Sequence, residues 1–78
     1  MKIEVLGTGC AKCNQLEKDV YNALAELDIA AEVTKVKDIS KIMAYKVMVT
    51  PALVIDGEVK TAGRLPRKEE LHKYIKGE

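Results

Sequence analysis

The 78-residue chain has no Trp, no Phe and only three Tyr. That scarcity removes the stacked aromatic platform on which single-stranded nucleic acid is held. It also means that any core must be almost entirely aliphatic. A surplus of one charge is missing too. Thirteen Lys and Arg stand against 12 Asp and Glu, for a formal net charge of +1, and phosphate binding needs a clear basic excess. No apolar run approaches the roughly 20 residues that span a bilayer. The N-terminus lacks the basic-then-apolar pattern of a secretory signal. Nucleic acid and membrane are therefore not expected partners, and the expected location is cytoplasmic. No repeat, low-complexity segment or linker divides the chain. With 47% hydrophobic residues disorder is not expected, and the length suits one domain over 1–78. A domain of this size buries only roughly 60–65% of its unfolded surface, so its stability margin is thin.

Cysteine is scarce but concentrated: the only two are in Cys10-Ala11-Lys12-Cys13. A disulfide across two intervening residues closes almost no loop and is a poor staple. Both residues therefore point to chemistry, either reversible thiol–disulfide exchange or metal binding. A structural zinc needs four ligands. The chain offers two thiols and His72, which has no partner at ligand spacing, so neither a metal nor another cofactor is expected.

Hydrophobic periodicity orders the rest. Residues 2–6 (KIEVL) read as a first strand and Gly7-Thr8-Gly9 as a turn. Leu16, Val20, Ala23, Leu24 and Leu27 recur at three and four, predicting a helix over about 11–27. Residues 31–36 alternate and read as a second strand. Asp38 is an N-cap for a helix over about 39–46 whose buried stripe is Ile39, Ile42 and Met43. Met43 and Met48 read as gap-fillers of a core, Met48 with the further option of an apolar rim beside the cysteines. Pro51 stops any helix. Residues 52–55 form an apolar strand, Asp56-Gly57 a hairpin turn, and 58–61 the partner strand, broken by Gly63. Pro66 stands in the first turn of a last helix, with Leu71, Tyr74 and Ile75 inward and Gly77 at its end. His72 is expected on the exposed side, and 67–70 (RKEE) as a solvated face. The order β-α-β-α-β-β-α predicts an α/β fold, a four-stranded mixed sheet flanked by helices, with the first two strands parallel.

Cys10 falls where the first strand gives way to the first helix. Unpaired N–H groups and the helix dipole favour a thiolate there, and a cysteine in such a site can ionise anywhere between about 3.5 and 7.5 instead of near 8.5. Cys10 is thus the expected exposed nucleophile and Cys13, a turn deeper, the buried resolving thiol.

The segments GTGCAKC at 7–13 and VMVTPALVIDGEV at 47–59, with Gly63 after the hairpin, resemble the thioredoxin/glutaredoxin superfamily in its smallest form, the small glutaredoxin-like redox-active disulfide proteins. The resemblance implies a thioredoxin-like fold and a dithiol oxidoreductase that reduces protein disulfides. It implies that Cys10 and Cys13 are catalytic and that Thr50-Pro51 is a cis bond facing the disulfide. Thr50, Pro51 and Gly63 would contact substrate, although Gly63 equally suits a plain strand terminator. Partners would be disulfide-containing proteins and an upstream reductase or glutathione, and the protein a monomer. Ala11 and Lys12 stand where the superfamily has other dipeptides. These residues tune a potential that spans roughly −270 to −120 mV across dithiol proteins. Gly9 replaces the usual aromatic. Glu4 occupies the place of a buried acid that assists the resolving thiol in thioredoxins, yet it also fits a half-exposed strand position. Arg64 and Lys12 read as surface charge, with steering of an acidic partner as the alternative, and Tyr45 as packing beside the second helix.

A different reading comes from VLGTGCAKCNQLEKDVYNAL, which is similar to the entry segment of small copper-binding ferredoxin-like domains; two soft thiolates suit Cu(I). Those domains run β-α-β-β-α-β and end in a strand, and they carry a Met before the first cysteine, which this chain lacks.

Overall fold

The first strand, β1 (Lys2–Leu6), shows how the layers arise. Successive side chains of a strand point to opposite faces, so Ile3 and Val5 fall on one side while Glu4 and Leu6 fall on the other. The computed structural model describes residues 1–9 and 11–77; Cys10 and Glu78 lie outside the described residues. The remaining elements are α1 (Ala11–Leu27), β2 (Glu32–Val36), α2 (Ile39–Ala44), β3 (Ala52–Ile55), β4 (Glu58–Ala62) and α3 (Lys68–Lys76). The sheet order is β2-β1-β3-β4, with β1 parallel to β2 and antiparallel to β3, and β3 antiparallel to β4. This is the expected four-stranded mixed sheet flanked by helices. The described order closes on a helix, not on a strand.

Strand β3 is buried at all four positions, because a central strand covered on both faces must be a continuous apolar run. One face holds Ile3, Val5, Leu53 and Ile55 against Leu16, Val20, Ala23 and Leu24 of α1 and Leu71 and Ile75 of α3. The other holds Leu6, Ala52 and Val54 against Val36, Ile42 and Val47. The hairpin turns through Asp56 (φ 50°) and Gly57 (φ 83°), both in the left-handed region that a two-residue turn of this hand requires. Register shifts between Leu53 and Val54, so that Leu53 faces Thr61 while Val54 faces Val59; the extra residue makes a bulge.

Boundaries moved slightly from expectation. β2 begins at Glu32 and β4 reaches Ala62. Helix α2 stops at Ala44 and not at 46, because Lys46 takes φ 62° while its N–H closes on Met43 O at 2.8 Å. Its start is the expected one: the Asp38 carboxylate accepts from Ser40 N at 2.9 Å, satisfying an otherwise orphaned donor. Pro66 lies before α3, whose N-cap is Arg67.

A larger correction concerns the inner stripe of α2. Ile42 is 5% exposed, but Ile39 and Met43 are each 61% exposed and Met48 is 89% exposed. A helix of six residues touches the sheet along one line only. Ile39 and Met43, one turn apart, form a row beside that line. Neither methionine fills a core. His72 is also misplaced by the sequence reading. It is half-buried and faces α1, its Nε2 lying 3.3 Å from Glu26 Oε2 without hydrogen-bond alignment.

Candidate functional site

Because β1 and β2 are parallel and β3 runs against them, the C-terminal ends of β1 and β2 share one edge of the molecule with the start of β3. That edge gathers Gly7, the first turn of α1, the loop before β3, and Gly63 after β4. Cys13 is one turn into α1 and fully buried. It is held there by the closeness of Gly7. A Cβ on Gly7 would overlap Cys13 Sγ, lie 3.0 Å from Cys13 Cβ and 3.9 Å from Thr50 Cβ. Only a residue without a side chain lets the β1 backbone pass the sulfur so closely. The same contact places Thr50 beside Cys13, although the two are far apart in sequence.

The Thr50–Pro51 peptide bond is cis and Pro51 is buried. Pro51 O accepts from Gly63 N at 2.8 Å. Gly63 takes φ 81°, and a Cβ there would lie 3.3 Å from both Cβ and Cγ1 of Val49. Within the chain, then, the missing side chain of Gly63 accommodates Val49, and β4 ends just before it. The backbone N–H and C=O groups of Met48, Val49 and Thr50 bond to no other backbone group among the described residues.

Apolar side chains lie open beside this loop. Thr8, Ile39, Ile42, Met43, Val47, Met48 and Thr50 line a groove of about 250 Å³, and Val49 is 58% exposed. Ala11 and Lys12, the first residues of α1, are exposed. Glu4 is not on this surface. Its cross-strand neighbour Val54 packs on the α2 side of the sheet, where the Glu4 carboxylate accepts from Tyr45 Oη at 2.7 Å. That bond, with lesser contributions from desolvation and from the carboxylate's charge, raises the Tyr45 pKa above its ordinary value. Arg64 is engaged by Glu70, with Nη2–Oε2 at 2.6 Å.

The structure thus brings Cys13, Thr50, Pro51 and Gly63 to one edge, with Ala11 and Lys12 in the first turn of the helix that carries Cys13. Cys10, singled out as the nucleophile, lies outside the described residues. The sequence reading missed the clearance supplied by Gly7 and the exposed row of Ile39 and Met43. The brevity of α2 was the available signal for that row. A second cleft, of about 190 Å³, lies between α1 and α3 and is lined by Asp19, Glu26, Lys68 and His72 among others; it contains neither cysteine. Among the described residues, no three His, Cys, Asp or Glu are grouped to hold a metal ion, and no helix is long and apolar enough to cross a membrane.

Residues 1–76 match the family described as thioredoxin domain. The chain is 44% identical over 75 residues to a protein named thioredoxin from Methanothermobacter thermautotrophicus, covering 96% of this chain and 97% of that protein. It is 42% identical over 79 residues to one of the same name from Methanocaldococcus jannaschii, covering 96% and 91%.

Proposed function

Because the chain belongs to the thioredoxin domain family and is a thioredoxin-like redox protein, we propose that it reduces protein disulfides through Cys10 and Cys13. The Cys10 thiolate attacks one sulfur of a substrate disulfide. A mixed disulfide forms, and the other substrate sulfur leaves as a thiolate that takes up a proton. The Cys13 thiolate then attacks the Cys10 sulfur, releases the second substrate thiol and closes a Cys10–Cys13 disulfide. Two electrons have passed from the protein dithiol to the substrate. A reductase that supplies a dithiol, or two molecules of glutathione, returns the disulfide to the reduced state. Such chemistry suits a monomer in a reducing compartment such as the cytoplasm.

One observation carries this reading: the Cys13 sulfur is buried against Gly7 and beside Thr50. A resolving thiol must be shielded from outside disulfides and still lie next to the place where substrate backbone docks. The unpaired backbone groups of residues 48–50 offer that place to an extended segment, which can add to them as a strand adds to a sheet edge. Ala11 and Lys12 flank the reacting sulfurs in sequence and are assigned to tuning.

The test is insulin-disulfide reduction together with trapping. Cys13→Ser is expected to abolish turnover and to accumulate mixed disulfides with protein substrates, whereas Cys10→Ser gives neither. Alkylation of Cys13 ahead of Cys10 in the reduced protein would contradict the assignment. A Cu(I) competition run in parallel addresses the metal-carrier reading: tight copper binding without reductase activity would replace the proposal.

A further inference from the structure

The backbone of residues 48–50 is left without backbone partners, so something else must hold that loop in place. Behind it the chain is fixed at two points. Pro51 is buried and its carbonyl accepts from Gly63 N at 2.8 Å. At the other end, Tyr45 caps α2 and packs against the core of Leu6, Val36, Ile42, Val47, Ala52 and Val54, while its hydroxyl donates to Glu4 Oε1 at 2.7 Å. Among the described residues this is the one side-chain hydrogen bond from residues 41–51 to the sheet. Both groups are half-buried, and a bond to an ionised acceptor is stronger than one between neutral groups. Right after it, Lys46 turns the chain through φ 62°, a conformation that side-chain-bearing residues avoid and that persists only where the surroundings impose it. The apolar packing of Val47 holds the segment down without fixing its direction, since apolar burial is non-directional. The Tyr45 bond is directional. It also ends on β1, three residues before Gly7, the glycine against which the Cys13 sulfur lies. One strand therefore carries the reference point for the loop and the reference point for the sulfur, roughly 10 Å apart along its length.

Resting on the oxidoreductase reading above, we infer that Tyr45 is a positioning residue for disulfide exchange: its bond to Glu4 ties the loop of residues 48–50 to β1 and so keeps the docking backbone in register with Cys13. Tyr45 touches neither the sulfurs nor the substrate. Its effect is on how well an extended segment docks and not on the exchange of sulfurs.

The experiment compares Tyr45→Phe, which keeps the ring and removes the bond, with Glu4→Gln, which keeps an acceptor but cannot take up a proton. Tyr74→Phe, whose hydroxyl bonds to Glu70 on α3, is the control. Substrates are a disulfide-cyclised peptide, which needs the loop, and hydroxyethyl disulfide, which is too small to span it. Tyr45→Phe is expected to raise KM for the peptide roughly tenfold, the lower end of what a hydrogen bond to a charged group is worth, with kcat and the rate on the small disulfide nearly unchanged. Amide exchange at Lys46 and Gly63, whose N–H groups bond to Met43 O and Pro51 O, should quicken by a similar factor while that of Leu71 on α3 stays as it was. Glu4→Gln should fall between Tyr45→Phe and the unaltered protein, and Tyr74→Phe should match the latter. Glu4→Leu with Tyr45→Phe should do no more harm than Glu4→Leu alone, as partners in one interaction do. Equal losses on both substrates would reduce Tyr45 to a stabilising contact and overturn the inference. So would an unchanged KM with unchanged exchange, or a Glu4→Gln variant that resolves mixed disulfides slowly while Tyr45→Phe resolves them normally, since the carboxylate would then serve the thiol. The two readings fail separately. If the unaltered protein reduces neither disulfide, the chemistry falls, yet quickened exchange at Lys46 and Gly63 in Tyr45→Phe would still uphold the tether. Normal reduction with an unmoved KM sinks the tether alone.

Discussion

Helices α2 and α3 lie at opposite extremes of how a short helix can be held. α3 buries Leu71 and Ile75. The Glu70 carboxylate accepts from Arg67 N at 3.5 Å and pairs with Arg64, Lys68 reaches Glu26 of α1 at 3.0 Å, and Gly77 closes the helix at φ 81°. α2 buries Ile42 alone and leaves Ile39 and Met43 mostly exposed, and Lys37, Lys41 and Lys46 form no ion pair among the described residues. Local satisfaction is concentrated where the chain has only to hold its shape. It is relaxed at the edge where Cys13, Thr50 and Pro51 gather. A sequence obeys its own folding rules least where something else has to bind.

The sharpest way to break this contrast is inside α2, with two isoleucines three residues apart. Ile42→Ala removes a side chain wedged among Leu6, Val36 and Val54 and is expected to cost about 2–5 kcal/mol, as buried aliphatic truncations do. Ile39→Ala touches no core and is expected to stay within about 0.5 kcal/mol. Urea melts of both variants decide the matter; similar losses would mean that Ile39 is packed after all. A chain this small cannot spare the larger figure easily, since whole-domain stabilities are only about 5–15 kcal/mol.

Gly7→Ala comes next. Its Cβ would collide with Cys13 Sγ, so either β1 or the start of α1 must give way. Overpacking of this kind costs about 1–3 kcal/mol. Stability is not the only readout. Mixed disulfides formed by the variant should persist longer than in the unaltered protein, because a displaced Cys13 resolves them more slowly. A variant with lowered stability but unchanged resolution would show that the contact shapes the fold and not the exchange. A smaller effect is expected from Met43→Ser with Met48→Ser: a KM for peptide disulfides raised a few-fold (about 1 kcal/mol, as for removing apolar contact area) with kcat and melting temperature nearly unchanged.

The sequence revealed the scaffold more completely than the surface. Strand β1, helix α1, strand β3 and the Asp56-Gly57 turn were readable to the residue, because periodicity and turn chemistry are local and the tertiary structure agrees with them. Cys13 was readable as the inner thiol from its spacing in the helix. The row of Ile39 and Met43 was not. An apolar residue on a helix looks the same whether it faces a core or a partner, and only the count of turns available for packing separates the two. His72 failed for the complementary reason. Its exposure depends on how closely α3 lies on α1, which no local pattern encodes. Gly7 read as a flexible turn, while its closeness to a sulfur six residues on is a matter of three-dimensional clearance.

The mildest test concerns the well-satisfied helix and asks whether its satisfaction contributes to stability. Hydrogen bonding from Arg64 is the main cause that holds the Glu70 carboxyl below its ordinary range. Partial burial opposes this, while Arg67 N–H, the charge of Arg64 and the Tyr74 hydroxyl add to it. A carboxyl with a folded pKa below its unfolded one stabilises the folded state fully above the unfolded value, near 4.3. It loses that contribution as pH falls through the lowered folded value. Glu70→Gln cannot titrate. The melting temperature of the unaltered protein should therefore exceed that of the variant near neutral pH, and the gap should close as pH drops below about 4. The gap should also narrow with added salt, since the pair is exposed enough to be screened. A gap that widened on acidification would mean that the Arg64–Glu70 pair does not stabilise α3. The contrast between α3 and the open row of α2 would then rest on buried apolar contacts alone.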